Sequence, residues 1–393
     1  MKLLHTSDWH LGRSFHGVGL LGAQASFVDH LVDVVRSERV DAVLVSGDVY
    51  DRALPAPDTV ALLSQTLERL VDAGAQVVLS SGNHDSAIRL GFAGGLLSRA
   101  GVHVRTSLEG IGTPVLLGDV AVHPLPYLEP SVVADALGAR ERTHASVLRA
   151  AMARVSADAT PARHRVVMAH AFVTGATGSD SERDISVGGV SAVPAAVFDG
   201  MSYAALGHLH GQQQVGEFAR FSGSPVAMSF SEQAHVKGSL LVDLGGRTPE
   251  ITAIPAPVER PLAVVRGALE EVLTDPRWAS AEGAWCQVTL TDSQRPLGAM
   301  DRVRRRFPHT LELRFEPASG VVVPTSYAAR VKERSDLDVC CDFLGHVRGG
   351  AGPTERERAL LAEAVESARL ERGADDDEGR AATDAAAREV GAA

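Results

Sequence analysis

The sequence predicts an α/β protein: a large layered domain, then a small α+β unit, then helices. Three features of the chain predict it. Short apolar, β-branched runs at 42–46 (AVLVS) and 76–80 (QVVLS) are separated by stretches whose apolar residues recur at helical spacing. Strands alternating with helices in this way imply a layered domain with largely buried strands. Proline-rich breaks, IPAPVERPL at 254–262 and VVVPTS at 321–326, then interrupt the alternation and mark changes of architecture.

The elements follow in order. Residues 2–6 read as a first strand, and Val28, Leu31, Val32 and Val35 then share one helix face. After the strand at 42–46, Asp58 is positioned to cap a helix over 58–72 carrying Leu63, Leu67, Leu70 and Val71, with Gly74 as its stop. The strand at 76–80 precedes a further helix over 86–99. Later strands are expected at 119–123, 165–169, 203–206 and 239–243. Beyond the first break, 263–323 mixes strands at 284–290 (AWCQVTL) and 310–315 (TLELRF) with a helix bearing Arg302, Arg304, Arg305 and Arg306. After the second break, Leu337, Cys340, Leu344 and Val347 make one apolar helix face. Thr354 and Glu357 form a capping box opening a helix with Leu361, Ala364, Val365 and Ala368 on one side. The acidic, alanine-rich tail after Gly373 has no apolar periodicity and is expected to be disordered. The expected divisions are therefore 1–254, 255–323, 324–372 and 373–393.

Composition narrows the class. A length of 393 residues suits two or three domains, and 45% hydrophobic with 22% charged residues is ordinary for a soluble globular chain. The opening MKLLHTSDWHLG lacks the apolar core of a signal peptide, and no run approaches the ~20 apolar residues that span a bilayer. Three cysteines, two of them adjacent (Cys340 and Cys341), cannot build a disulfide framework, so a cytoplasmic location and no membrane association are expected. A net charge of −11, of which the tail 373–393 supplies −4, argues against holding nucleic acid by bulk electrostatics. Any grip on a polyanion must come from metals, local arginine clusters or a partner.

The chemistry lies at strand ends, where open α/β sheets collect reactive groups. HTSDWHLG at 5–12 places Asp8 and His10 after the first strand, and SGDVYD at 46–51 places Asp48 and Asp51 after the second. SGNHD at 81–85 places Asn83, His84 and Asp85 after the third. His170 ends RHRVVMAH, and His208 and His210 end YAALGHLH. In Asp-x-His and His-x-His, alternate side chains of an extended segment fall on the same side, so both members of a pair can reach one point. The set is carboxylate, imidazole and amide oxygen without thiolate, which suits manganese, iron or zinc and disfavours a closed structural zinc site. Seven candidate ligands exceed the needs of one ion. Two ions bridged by a carboxylate use them naturally, in the arrangement that activates water and clamps an in-line displacement at phosphorus.

Singly, each motif is weak, since Asp, Asn and His at strand ends are most often turn formers. Five in order, each at an expected strand end, reverse that weighting. SDWH, GDVYD, GNHD, AHAF and GHLH resemble the signature motifs of the calcineurin-like metallophosphoesterases. HTSDWHLGRSF and FSGSPVAMSFSEQAHVKGSLLVDL (221–244) are similar, more narrowly, to the SbcD family of bacterial nuclease subunits, counterparts of the eukaryotic double-strand-break repair nuclease.

The resemblance implies a β-sandwich with flanking helices, a small α+β capping domain and C-terminal helices. It implies one metal held by Asp8, His10, Asp48 and His210 and a second held by Asp48, Asn83, His170 and His208, with manganese the expected ion in both places. His84 would stabilise the transition state or protonate the leaving oxygen, with Asp85 orienting it. The implied activity is DNA phosphodiester hydrolysis, exonucleolytic 3′-to-5′ on duplex ends and endonucleolytic on hairpins or single strands. The implied partners are DNA, an SbcC-like coiled-coil ATPase docking on the apolar faces after 324, and a second copy meeting through the helices at 58–72 and 86–99, giving a homodimer within a heterotetramer. The run Arg302–Arg306 is a candidate DNA contact as well as an ordinary solvated face.

Arg52 after the second aspartate departs toward protein serine/threonine phosphatases. Those read Glu after GNH where this chain has Asp85, so Arg52 is retained only as a candidate phosphate contact. The alternatives are a phosphatase or phosphodiesterase acting on small nucleotides or phosphoproteins, and a non-catalytic scaffold. A scaffold typically loses ligands, whereas this chain keeps every one.

Overall fold

The computed structural model describes residues 1–183, 185, 192–317, 335–365 and 367. The chain divides into two compact units. One comprises Met1–Val265, Arg277–Gln287 and Phe307–Glu312; the other comprises Arg266–Pro276, Val288–Arg306 and the described residues from Leu313 onward.

The first unit opens with β1 (Lys2–Thr6), a small hairpin of β2 (Ser14–Phe15) and β3 (Val18–Gly19), and α1 (Leu21–Glu38). Next come β4 (Ala42–Ser46), α2 (Pro57–Asp72), β5 (Gln76–Ser80), two one-turn helices α3 (Ala87–Leu90) and α4 (Gly94–Leu97), and β6 (Val102–Arg105). A second run supplies β7 (Val115–Leu117), β8 (Val120–Pro124), α5 (Pro130–Leu137), α6 (His144–Ser156), β9 (His164–His170) and β10 (Tyr203–Gly207). It closes with β11 (Gln213–Val215), β12 (Ala219–Phe221), β13 (Gly238–Asp243) and β14 (Glu250–Pro255).

These strands build two mixed six-stranded sheets, ordered β14-β13-β1-β4-β5-β6 and β11-β12-β10-β9-β8-β7. The central strands β1, β4, β5 and β6 run parallel, as do β8, β9, β10 and β12, while β7, β11, β13 and β14 add antiparallel edges.

Strand alternation assigns each side chain to a layer. Along β4, Val43 and Val45 face the helices α1 and α2, while Ala42 and Leu44 face the other sheet. Along β9, Val167 and Ala169 pack with α5 and α6, and Val166 and Met168 enter the space between the sheets. The result is helix, sheet, sheet, helix. Burial on both faces, along all of β4 and along β5 after its exposed first residue Gln76, explains why these strands read as apolar runs rather than alternating ones.

The expected strands fall within about a residue of their observed limits. Two helix expectations change. Asp58 is not the cap of α2: the helix begins one residue earlier with Pro57, whose fixed φ suits a first turn, and Asp58 lies inside that turn. The helix expected over 86–99 is broken into α3, α4 and a 3-10 turn at Ser98–Ala100, because GFAGG at 91–95 carries three glycines and Ala93 takes φ of +58°.

Beyond β14 lie β15 (Leu262–Gly267), α7 (Leu269–Thr274), β16 (Trp285–Leu290), α8 (Ala299–Arg306) and β17 (Thr310–Phe315), the strands forming a three-stranded sheet. In the second unit Arg302 of α8 pairs with Glu270, and Arg306 donates to the Val272 carbonyl at 2.9 Å, so part of the arginine run anchors α8 to α7. A helix at Asp336–Val347 is capped by Ser335, whose hydroxyl accepts from the Asp338 N–H. The Thr354–Glu357 capping box forms: the Thr354 N–H donates to Glu357 at 2.8 Å and the Glu357 N–H to the Thr354 hydroxyl at 3.4 Å. The second proline break at 321–326, Ala368 and the acidic tail lie outside the described residues.

Candidate metal centre

The carboxyl ends of β1, β4, β5, β9 and β10 meet at one place in the first unit. The loop after β1 is tied to the loop after β4 by main-chain bonds from the Asp8, His10 and Leu11 N–H groups to the carbonyls of Gly47, Asp48 and Val49, at 3.1, 3.0 and 2.9 Å. Asp8 then accepts the His208 N–H at 3.0 Å, tying in the loop after β10, and Asp48 accepts the His84 N–H at 2.9 Å, tying in the loop after β5. The packing is close enough that a methyl on Gly82 would collide with the Asp48 carboxylate, and one on Gly207 with the Ser46 carbonyl. Asp8, His10, Asp48 and His208 themselves take φ of +53°, +43°, +47° and +105°. Left-handed backbone at four non-glycine residues is costly and gathers where a site over-determines it.

Three overlapping groups have ligand atoms within 4.8 Å of one another: Asp8, His10 and His210; His10, Asp48 and His84; and Asp8, Asp48 and His170. Asp8, His10 and Asp48 each belong to two of them, so the three groups form one continuous cluster with two carboxylates at its joints. Asn83 joins through its Oδ1, 2.9 Å from His170 Nε2. His208 is buried beside them with its ring edge-on to that of His170, centroids 5.3 Å apart, but is absent from the three groups.

Tautomers test whether these residues fit cations. His170 Nδ1 lies 3.0 Å from the Ser46 carbonyl, which can only accept, so Nδ1 carries the proton. In the neutral ring Nε2 is then a bare lone pair, yet it faces Asn83 Oδ1 and the Asp48 carboxylate at 3.4 Å. A second pair of imidazole nitrogens, His10 Nε2 and His210 Nε2, face each other at 3.2 Å. Each contact is a hydrogen bond when a ring nitrogen carries a proton, and the same lone pairs are free to ligate when a metal cation takes the place of that proton. The residues fit divalent ions.

Charge agrees with that reading. Burial pushes Asp8 up to about 6, against the pull of His170 and His210. Burial also opposes ionising Asp48, but His170, His10 and His84 outweigh it and hold Asp48 well below the usual range. Burial would lower His170, yet Asp48 and Asp8 raise it to about 9, so without a metal a proton takes the cationic place. Burial lowers His10 to about 4 and holds His208 well below its ordinary value, leaving lone pairs free to ligate.

His84 is 5% exposed, with Nδ1 2.8 Å from the Asp51 carbonyl and Nε2 3.9 Å from Asp48. Asp85, expected to orient His84, is the next residue in the same loop. Its carboxylate accepts the Gly82, Tyr50 and Val49 N–H groups at 2.9, 2.9 and 3.1 Å, joining the two loops, while the Asp51 main chain fixes the His84 ring. The Asp51 side chain meets Arg13 at 3.1 Å and His10 Nδ1 at 3.5 Å, the latter too long for a full hydrogen bond. Arg52 is largely exposed, 3.7 Å from Asp51.

Reading the sequence missed the groups behind the site. Gln24 of α1 donates to the Trp9 and His10 carbonyls at 3.1 and 2.7 Å, and Ser7 donates to Asp8 at 2.5 Å. Ser181 Oγ lies 2.6 Å from His210 Nδ1 and donates to Glu232, which pairs with Lys237. Ser7 directly follows β1 but is not of a ligand type, and the others lie in no ligand spacing; the one signal was the SEQAHVKG part of the 221–244 stretch.

Comparisons with known proteins follow the same line. Residues 1–212 match the family model described as calcineurin-like phosphoesterase. Residues 258–348 match the model described as type 5 capsule protein repressor C-terminal domain. The chain is similar to the SbcD subunit of nuclease SbcCD from Staphylococcus saprophyticus, 26% identical over 376 residues that cover 95% of this chain and all of that one. Among solved structures it is similar to "GAP50 the anchor in the inner membrane complex of Plasmodium", with 10% identity, TM-score 0.36, and coverage of 81% of this chain and 98% of that one.

Proposed function

Because the chain belongs to the calcineurin-like phosphoesterase family, we propose that it is the nuclease subunit of an SbcC–SbcD-like complex, hydrolysing DNA phosphodiesters in repair and recombination. The observation that carries the reading is the gathering of buried carboxylate, imidazole and amide oxygen at one point, with His10 and His210 nitrogens 3.2 Å apart and His170 2.9 Å from Asn83, around Asp48. One divalent ion is assigned to Asp8, His10, Asp48 and His210, and a second to Asp48, Asn83, His170 and His208, with manganese as the expected metal. When bound, such a pair polarises the phosphodiester and activates water at neutral pH. The chain's own part is to hold both ions through a shared Asp48 and to move a proton at His84. With Nδ1 tied to the Asp51 carbonyl, His84 presents Nε2 to the site and is placed to protonate the leaving oxygen. Asp85 keeps the loops that carry Asp48 and His84 in register.

The finer expectations belong to the same reading: 3′-to-5′ exonuclease action on duplex ends, endonuclease action on hairpins, a cytoplasmic location and a coiled-coil ATPase partner. Among the described residues no helix is long and apolar enough to cross a membrane. Phe343, Val347 and Leu360 are 56%, 64% and 59% exposed, which supports a partner on the C-terminal helices. Ile88, Phe92 and Leu96, at 87%, 80% and 66% exposed, support pairing with a second copy.

Manganese-loaded protein, with and without the ATPase, is to be assayed on a DNA hairpin and on an aryl phosphate ester. The reading expects the hairpin to be cut and the ester to be turned over poorly. Efficient ester hydrolysis with an intact hairpin would instead favour the small-substrate phosphatase.

A further inference from the structure

We infer that Glu232 and Lys237, a buried ion pair outside the ligand set, are positioning residues that hold His210, through the Ser181 hydroxyl, with its Nε2 lone pair turned into the metal centre. The inference deepens the metal-centre reading above and rests on it.

Lys237 and Glu232 are buried, their side chains 5% and 0% exposed. All three ammonium protons have acceptors: the Glu232 carboxylate, the His210 carbonyl at 2.9 Å and the Ser224 hydroxyl at 2.9 Å. The other carboxylate oxygen of Glu232 accepts from Ser181, whose Oγ lies 2.6 Å from His210 Nδ1, and itself lies 3.4 Å from that nitrogen. Ser181 has one proton. An ionised carboxylate only accepts, so that proton goes to Glu232 and the Ser181 oxygen must accept from His210 Nδ1–H. The chain Lys237, Glu232, Ser181, His210 therefore fixes a single tautomer, with Nε2 unprotonated at 3.2 Å from His10 Nε2. Glu182 adds a hold on the same residue by accepting the His210 N–H at 2.8 Å.

Burying an ion pair is a poor route to stability, because desolvation offsets most of the attraction. Fixing the tautomer and direction of a metal-binding histidine is what such outer partners do, and their loss costs about 10- to 100-fold in metal affinity.

The test is titration of the metal-free full-length chain with Mn²⁺ by calorimetry. Wild type is expected to take two ions. Ser181→Ala and Glu232→Gln are each expected to weaken one ion by about 10- to 100-fold while sparing the other. The double variant should weaken the same ion by less than the sum of the two singles, since both act on the one His210 Nδ1–H. Ser181→Thr restores the hydroxyl and should recover affinity. If Glu232→Gln strands Lys237 and fails to fold, Ser181→Ala decides alone, because it leaves the ion pair intact. Two ions bound to Ser181→Ala at wild-type affinity, or both weakened alike, overturn the inference and leave the metal centre standing. A wild type that takes no ion removes both.

Discussion

His84 shows how a single side chain acquires a role from its surroundings. Its backbone N–H is spent on Asp48 and its Nδ1 on the Asp51 carbonyl, so only Nε2 is left to serve chemistry. His84→Ala is expected to keep both metal ions and lower hydrolysis by about 100- to 10 000-fold; unchanged turnover would take His84 out of the mechanism. His5, by contrast, is a strand residue with Nδ1 2.8 Å from the Tyr203 hydroxyl, and burial lowers it to about 3 from an ordinary 6.5. The folded state keeps it neutral while the unfolded chain protonates below about 6.5, so its contribution is present above that pH and is lost as pH falls toward 3. Between pH 6.5 and about pH 5 wild type should lose about 2 kcal/mol more than His5→Gln in denaturant melts. Parallel curves for the two would contradict it. The candidate ligands were legible because each follows an apolar run by one to five positions. Ser181, Glu232 and Lys237 were not, because they act from loops through hydrogen bonds that have no spacing rule. The contact on the His84 ring was illegible for a related reason: it is the Asp51 main-chain carbonyl, which any residue supplies.

Elements were legible where burial imposes a pattern. β4 and β5 are apolar on both faces because each is covered on both, and their limits follow directly. The 86–99 region failed because apolar residues at helical spacing outvoted its three glycines. The broken result leaves Ile88, Phe92 and Leu96 exposed on short helices. If a second copy covers them, Ile88→Ser with Phe92→Ser should convert a dimer to a monomer in sedimentation equilibrium without altering the fold. A wild type that sediments as a monomer at micromolar concentration, or a variant that remains dimeric, rules out that surface.

For the molecule as a whole, the sequence carried less. Periodicity marks which strands are buried, but not that they form two sheets or that β13 pairs antiparallel with β1. That pairing joins residues more than two hundred positions apart, Lys2 with Asp243 for example, and only the family resemblance anticipated the sandwich. Yet that stacking of sheets is what brings Asp8 and Asp48 from one sheet to His170, His208 and His210 from the other. The most direct measurement is electron paramagnetic resonance of the full chain loaded with manganese, alongside metal analysis. Two ions per chain with an exchange-coupled spectrum, both features lost in Asp48→Asn, are expected. One ion or none, or two that are magnetically isolated and unaffected by Asp48→Asn, would contradict a shared binuclear centre.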